Sequence, residues 1–279
     1  MGAIRQSLKQ TRKISASQIR KRAEQPFTLC FIGADEADRA GLLRLFLPEN
    51  MSRAERDRAI MFVRSSLAGA AQPGRDELAV WTAAAAHGAG VTDARHAVVD
   101  LDAPQAGLER LLRLYPQRAL ALGRTFPVLR PLAARHCIQA IAMRNAAFAA
   151  LSAIPEVAPT PLSLVWAAGE FASDTLVLTA NQIRLAFELA ALAGIEVGWT
   201  RQSGRLLAIV AGAFGWRSLA RELVSLIPAG VGLAAKSGIA YAGTYAVGKS
   251  LWRYSQSRHP GLMAELPARE AFGPLPASA

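Results

Sequence analysis

A chain of 279 residues has room for one large domain or two modest ones. Hydrophobic residues make up 52% of it and charged residues 19%, which excludes a charge-rich disordered chain as the main architecture. Its two cysteines can form neither a disulfide framework nor a cysteine-rich zinc module. The formal net charge of +11 indicates an anionic partner.

The first 25 residues carry more than half of this positive charge, with seven cations against one acid, Glu24. The cations predicted to contact a membrane surface are Arg12, Lys13, Arg20, Lys21 and Arg22. Such an arm binds anionic lipid, with about 1 kcal/mol from each cation; it can also bind nucleic-acid phosphates or be a solvated, frayed terminus. Because no aromatic residue is interleaved with the cations, anionic lipid is favoured over nucleic acid.

Residues 26–124 have the pattern of a small α/β domain. Short apolar runs predict strands at 27–32, 78–81, 96–102 and 119–122. Helical periodicity predicts helices at 38–47 and 53–67. The first strand ends at Gly33 and is followed by a turn and a helix, the context in which a phosphate-binding loop occurs.

The turn after Gly33 departs from a working phosphate loop. When the pattern G-x-x-x-x-G-K-[ST] is laid on it from Gly33, Asp38 stands in place of the second glycine. Arg39 replaces the lysine, and Ala40 replaces the residue whose hydroxyl holds magnesium. The acids at this turn are Asp35, Glu36 and Asp38. Their three negative charges oppose a polyphosphate, so we expect weak or absent triphosphate binding at a structural turn.

The strand at 96–102 ends in acids and is similar to a Walker B strand, whose aspartate assists magnesium. Since Ala40 has no hydroxyl, the alternative role for Asp102 is to cap a helix that begins near Gln105. The residues assigned to a degenerate nucleotide site are Gly33, Arg39 and Asp100. No cofactor and no catalytic residue are expected, and the four histidines lack the spacing of metal ligands.

From residue 125 the pattern is helical and apolar, with helices predicted at 132–151, 163–193 and 223–248. The last is long enough to cross a bilayer, which needs about 20 apolar residues. However, Lys236 lies near its middle, at a cost of roughly 2.5 to 3.5 kcal/mol on insertion scales, and Pro228 interrupts its hydrogen bonds. We therefore favour a re-entrant or tightly paired hairpin, with Lys249 and Arg253 at an anionic membrane surface.

Small side chains recur at every fourth position of the 223–248 segment. The predicted helix-packing residues are Gly230, Ala234, Gly238, Ala242 and Ala246. Such a ridge lets two helices approach closely, either within a membrane or between soluble helices.

Several runs in residues 125–256 resemble a bacterial family. These runs are 126–131, 153–155, 166–175, 181–184, 212–217, 226–228 and 243–248. The family is the GTPase-associated domain of unknown function shared with the inner-membrane protein YcjF. The resemblance implies a membrane-associated helical domain that follows a Ras-like GTPase module or is encoded beside one. Residues 27–122 depart from such a module at the phosphate loop and lack the Asn-Lys-x-Asp base-reading motif.

The sequence therefore predicts an α/β plus all-α protein. Its parts are a basic arm (1–25), a small degenerate P-loop or Rossmann-like domain (26–124), an apolar helical YcjF-like domain that packs on or into a membrane (125–256), and a flexible tail (257–279). We expect a non-enzymatic, membrane-associated adaptor or regulatory protein at the cytoplasmic side of a bacterial inner membrane. It would act on a partner protein, a GTPase among the candidates, or on a second copy of itself. The alternatives are an atypical GTP- or ATP-binding protein with residual hydrolase activity and a nucleic-acid-binding module.

Overall fold

The computed structural model describes residues 16–70, 73–92, 96–157, 163–198, 204 and 232–258, which divide into two compact units. The helical unit takes its residues from Met1–Arg20, Arg135–Ala191 and Ile195–Ser255. The α/β unit takes its residues from Lys21–Ala134, Leu192–Gly194 and Gln256–Ala279. Along the chain the division falls between Ala134 and Arg135, inside a helix, rather than at the boundary between 124 and 125 that the sequence suggests.

The α/β unit is built on four strands. They are β1 (Thr28–Gly33), β2 (Val63–Leu67), β3 (Glu77–Thr82) and β4 (Ala97–Val99). The helices from the start of the described chain onward are α1 (Ala16–Ala23), α2 (Glu36–Phe46), α3 (Arg53–Ile60), α4 (Ala83–Gly88), α5 (Gln105–Leu114) and α6 (Ala119–Thr125). Two 3₁₀ turns lie at Ala68–Ala70 and Pro127–Leu129.

The four strands form a parallel sheet in the order β2-β1-β3-β4. In the central strand β1, Ile32 is paired with Ser66 on one side and Trp81 on the other. Residues 29–32 of β1 are fully buried, as expected for an apolar run in a parallel sheet covered on both faces. The prediction of an α/β region followed by helices is thus confirmed.

Two predictions of secondary structure are wrong. Residues 119–122, predicted as a strand, form most of α6, where all four side chains are at most 2% exposed. A fully buried apolar run has no polar face, so periodicity does not separate a helix from a strand. Residues 53–67, predicted as one helix, form α3 and then β2. The hydrogen-bonding groups on one edge of the buried strand β1 require a partner, and β2 provides it.

The helical unit contains three long helices, which extend across the predicted segments. They are α7 (Arg130–Val157), α8 (Ser163–Leu192) and α9 (Gly232–Arg258). The first part of the predicted 223–248 helix lies outside the described residues, and α9 continues past Gly248 to Arg258. Among the described residues, no helix has both the length and the hydropathy that a bilayer crossing requires.

The amides of Asn145 and Asn181 and the hydroxyl of Thr244 form a hydrogen-bonded chain that links the three long helices; Asn145 and Thr244 are buried and Asn181 is half-buried. Asn145 on α7 is completely buried, and its Nδ2 donates to Oγ1 of Thr244 on α9 over 2.8 Å. Its Oδ1 accepts from Nδ2 of Asn181 on α8 over 2.7 Å. Because unsatisfied buried amides are costly, these bonds favour one relative register of the three helices.

Close packing on α9 uses a different face from the predicted small-residue ridge. A Cβ added at Gly248 would lie 2.9 Å from side-chain carbons of Ile138 and Leu185, so the absence of a side chain allows close packing there. Gly238, Ala242 and Ala246 are exposed, and a Cβ at Gly238 would meet nothing within 4 Å. These three residues of the predicted ridge therefore face away from the packed side of α9. Gly230 lies outside the described residues, and Ala234 is described only in its backbone.

Candidate functional site at the carboxyl edge of the sheet

The chain passes from β1 to β2 on one side and then to β3 on the other side of β1. In open parallel sheets such a change of direction leaves a crevice between the carboxyl ends of the two adjacent strands, here β1 and β3, and ligands commonly bind in it. The order β2-β1-β3-β4 places that crevice between Gly33, at the end of β1, and Thr82, at the end of β3. The candidate nucleotide site predicted from sequence is built around the same strand end.

The side chain of Asp38 bridges the two strand ends. Its Oδ2 accepts a hydrogen bond from the Thr82 hydroxyl over 2.6 Å and another from the backbone N–H of Ala34 over 3.1 Å. Thr82 is 2% exposed, and its Oγ1 also accepts from the N–H of Ala85, which caps α4. The carboxylate therefore lies at the mouth of the crevice and already uses an amide of the loop after β1.

The other two acids of the turn, Asp35 and Glu36, also form contacts within it. Asp35 caps α2 by accepting from the N–H of Asp38 over 2.9 Å. Arg39, which stands where the pattern has lysine, pairs with Glu36 one turn away. A Cβ added at Gly33 would lie 2.8 Å from the backbone nitrogen of Arg39, so a larger residue does not fit there.

Asp100, the third residue assigned to the site, follows β4 at the same edge of the sheet. It is separated from β1 by β3, and its Oδ1 accepts from the N–H of Asp102 over 3.0 Å. Asp102 does not cap the next helix as anticipated, because α5 begins after Pro104 without a side-chain cap. Gly33 and Arg39 are thus neighbours, whereas Asp100 belongs to a separate local turn.

The predicted membrane-surface cations have different environments. Arg12 and Lys13 lie outside the described residues, and Arg20 donates to the carbonyl of Val197 over 3.0 Å. Of the predicted membrane-surface cations, Arg20, Lys21 and Arg253 are exposed, and Arg22 and Lys249 are half-buried. On α1, Ile19 and Ala23 are buried, so the end of the arm is a packed helix.

Thr82 was missed in the sequence as a site residue. Its visible signal is a hydroxyl residue directly after an apolar strand and before an alanine-rich run, which is typical of a helix N-cap. That signal predicts the cap of α4. The hydrogen bond from Thr82 to Asp38, 44 positions earlier, depends on the pairing of β1 with β3 and has no local signal.

A second polar group, also missed in the sequence, lies inside the α/β unit. Arg130 is 3% exposed, and one of its terminal nitrogens is 3.4 Å from Oε1 of Glu55 and 3.4 Å from the carbonyl of Arg124. Burial lowers the pKa of Arg130, while Glu55 opposes that shift. Burial raises the pKa of Glu55, but the hydrogen bond from Ser52 and the charge of Arg130 outweigh it and hold the pKa below its usual value.

No group of three or more potential metal ligands occurs within the described parts of the chain. Comparison with protein-family models, with curated proteins and with solved structures found no match. The resemblance to the YcjF family stays a prediction.

Proposed function

We propose that this chain is a non-enzymatic adaptor or regulatory protein that acts through its helical unit on a partner protein. In this proposal the α/β unit descends from a P-loop or Rossmann-like nucleotide-binding domain. The crevice of that domain is now closed by the side chain of Asp38. The observation that carries the proposal is the position of the Asp38 carboxylate between Ala34 and Thr82.

Electrostatics at the turn supports the loss of nucleotide binding. A phosphate loop presents backbone N–H groups to the anion, but here the N–H groups of Ala34 and Asp38 already donate to carboxylates. Two like unit charges 4 Å apart repel by roughly 4 kcal/mol at an effective dielectric constant near 20. A triphosphate would meet three acids at this turn, and the one nearby arginine, Arg39, is paired with Glu36.

Calorimetric titration of the full chain with Mg-GTP and Mg-ATP tests the proposal. We expect no saturable binding up to about 1 mM nucleotide. A sub-millimolar Kd for either nucleotide would overturn it and favour the alternative, an atypical nucleotide-binding protein with residual hydrolase activity.

The proposal includes attachment to the cytoplasmic face of a bacterial inner membrane. It is supported by the excess of cations in residues 1–25 and by the exposure of Lys21 and Arg253. Vesicle flotation should recover the chain with vesicles containing anionic phosphatidylglycerol and not with purely zwitterionic ones, and the recovery should fall as salt is raised. Equal recovery with both kinds of vesicle, or none with either, would contradict surface attachment through charge.

The described surface of the helical unit offers a place for a protein partner. Met143, Ala147 and Leu151 recur every fourth residue on α7 and are exposed, with exposed fractions of 64% for Met143 and 66% for Leu151. Two large apolar side chains, Met143 and Leu151, thus lie exposed on one side of the helix with the small Ala147 between them, an arrangement typical of a surface that packs against another helix. This exposed row supports assigning partner recognition to the helical unit.

A further inference from the structure

A cleft of about 320 Å³ opens in the α/β unit, away from the carboxyl edge of the sheet. It is lined by the end of α1, by α3 and Phe62, and by Arg124, Thr125, Arg130 and Gly194. A cavity of this size is at the lower end of the range for small-ligand sites. Its wall combines apolar side chains, Ala59 and Phe62 among them, with charged ones.

The charged groups that line the cleft leave one positive charge in excess. They are three arginines (Arg58, Arg124 and Arg130) and two glutamates (Glu24 and Glu55). A single negative charge would neutralise the group, whereas a dianion would leave the partly enclosed cleft negative. The charge balance therefore favours a monoanion.

The two acid–arginine pairs in the cleft differ in how easily they can be exchanged. Arg124 lies 3.6 Å from Glu24, and their side chains are 30% and 52% exposed. A loose, solvent-exposed pair of this kind contributes only about 0 to 1 kcal/mol. Arg130 and Glu55 are much more buried, at 3% and 17% exposed. A carboxylate can thus take the place of Glu24 on Arg124 at little cost. Glu24 then stays at the exposed rim of the cleft and within its charge balance, while the buried Arg130 adds its positive potential.

We propose that this cleft binds a small monocarboxylate with an apolar body. The carboxylate contacts Arg124, and the body lies against Ala59 and Phe62. This site is independent of the closed crevice, and its occupation is compatible with an adaptor that responds to a small molecule.

Titration of the full chain with benzoate tests this proposal, with benzamide and inorganic phosphate as matched probes at constant ionic strength. Benzoate should bind saturably with a Kd of about 1 mM or tighter. Benzamide, which has the same shape without the charge, should bind much more weakly, and so should phosphate. Absence of saturable benzoate binding, equal binding of benzamide, or tighter binding of phosphate would each overturn the assignment.

Two exposed positions, Glu24 and Arg113, and the half-buried Arg124 provide variants that preserve the buried Arg130–Glu55 pair. Arg124→Gln should weaken benzoate binding roughly 10-fold or more, because it removes a charge-assisted hydrogen bond. Glu24→Gln should tighten binding, because it removes the competing carboxylate. Arg113→Gln on α5, where Arg113 pairs with Glu109 outside the cleft, should leave binding unchanged. If Arg124→Gln binds benzoate like the original chain, or Glu24→Gln weakens binding, the proposed contact is wrong.

Discussion

At the scale of single residues, Asp38 and Thr82 form the contact with the clearest functional meaning. The Thr82 hydroxyl is almost fully buried and donates to Asp38 over 2.6 Å. A buried donor that loses its acceptor costs about 1 to 3 kcal/mol. The same contact therefore stabilises the edge of the sheet, and in our proposal it also closes the crevice.

Asp38→Ala should destabilise the α/β unit by about 1 to 3 kcal/mol for this reason. Hydrogen exchange of peptides from β1 and β3 measures the effect within that unit. Asp57→Ala is the control, since the Asp57 side chain is 70% exposed and 3.9 Å from Arg53, and it should change stability by less than about 0.5 kcal/mol. Equal exchange in the two variants would show that the Asp38 bond contributes nothing to stability.

Part of this site is predictable from the sequence. The acids after Gly33 and the absence of a hydroxyl at Ala40 are local features, so they can be read directly. The acceptor role of Asp38 toward Thr82 is tertiary, because it requires β1 and β3 to be neighbours. Glu55 and Arg130 are 75 positions apart, and no local pattern links them.

At the scale of secondary-structure elements, strongly apolar strands and long helices were predictable, whereas β2, which has no apolar pattern of its own, was not. β1 and β3 coincide with apolar runs, and α8 coincides with a long segment of helical periodicity. β2 has the sequence Val-Arg-Ser-Ser-Leu, which has weak strand propensity, and it is a strand because it pairs with β1. Residues 119–122 (Ala-Leu-Ala-Leu) instead follow their local helix propensity, and the strand prediction failed because a fully buried run shows no periodicity.

Helix α9 contains two glycines that should respond oppositely to one substitution. Gly238→Ala should stabilise the helical unit by up to about 1 kcal/mol, since alanine favours the helix and no atom lies near its Cβ. Gly248→Ala gains the same propensity but forces its Cβ against Ile138 and Leu185, an overpacking that costs about 1 to 3 kcal/mol.

The measurable quantity is the difference between the two variants. Gly248→Ala should be less stable than Gly238→Ala by about 1 to 3 kcal/mol in urea denaturation or in hydrogen exchange of α9. Identical stabilities would mean that the two faces of α9 are packed alike. A loss of stability in Gly238→Ala would indicate that the exposed ridge is covered by another helix in solution.

At the scale of the whole molecule, the pH dependence of stability should have two steps. Burial lowers the pKa of His136 below 6.5, with Glu188 opposing the shift. The folded chain then binds fewer protons than the unfolded chain just below pH 6.5, so stability falls as the pH decreases from there to the folded pKa. The hydrogen bond from Gly74 and the pairing with Arg64 lower the pKa of Glu77 below 4.5. Because the pKa of Glu55 is lowered as well, a second loss begins below about pH 4.5.

Thermal unfolding followed between pH 8 and pH 3 tests this prediction. His136→Gln should flatten the first step and keep the second, whereas His87→Gln, at an exposed position on α4, should keep both. A Tm that stays constant from pH 7 to pH 5 in the original chain would refute the first step. Because the chain has two compact units, each transition should be assigned by hydrogen exchange before free energies are compared.

The bond between Asp38 and Thr82 also bears on how this crevice can change over generations. Codons for aspartate and glycine differ by a single base, so one mutation can remove the carboxylate that accepts hydrogen bonds from Ala34 and Thr82. In our proposal, the genetic distance between a crevice occupied by this carboxylate and one without it is therefore short, and close relatives of this chain are a natural place to find both forms.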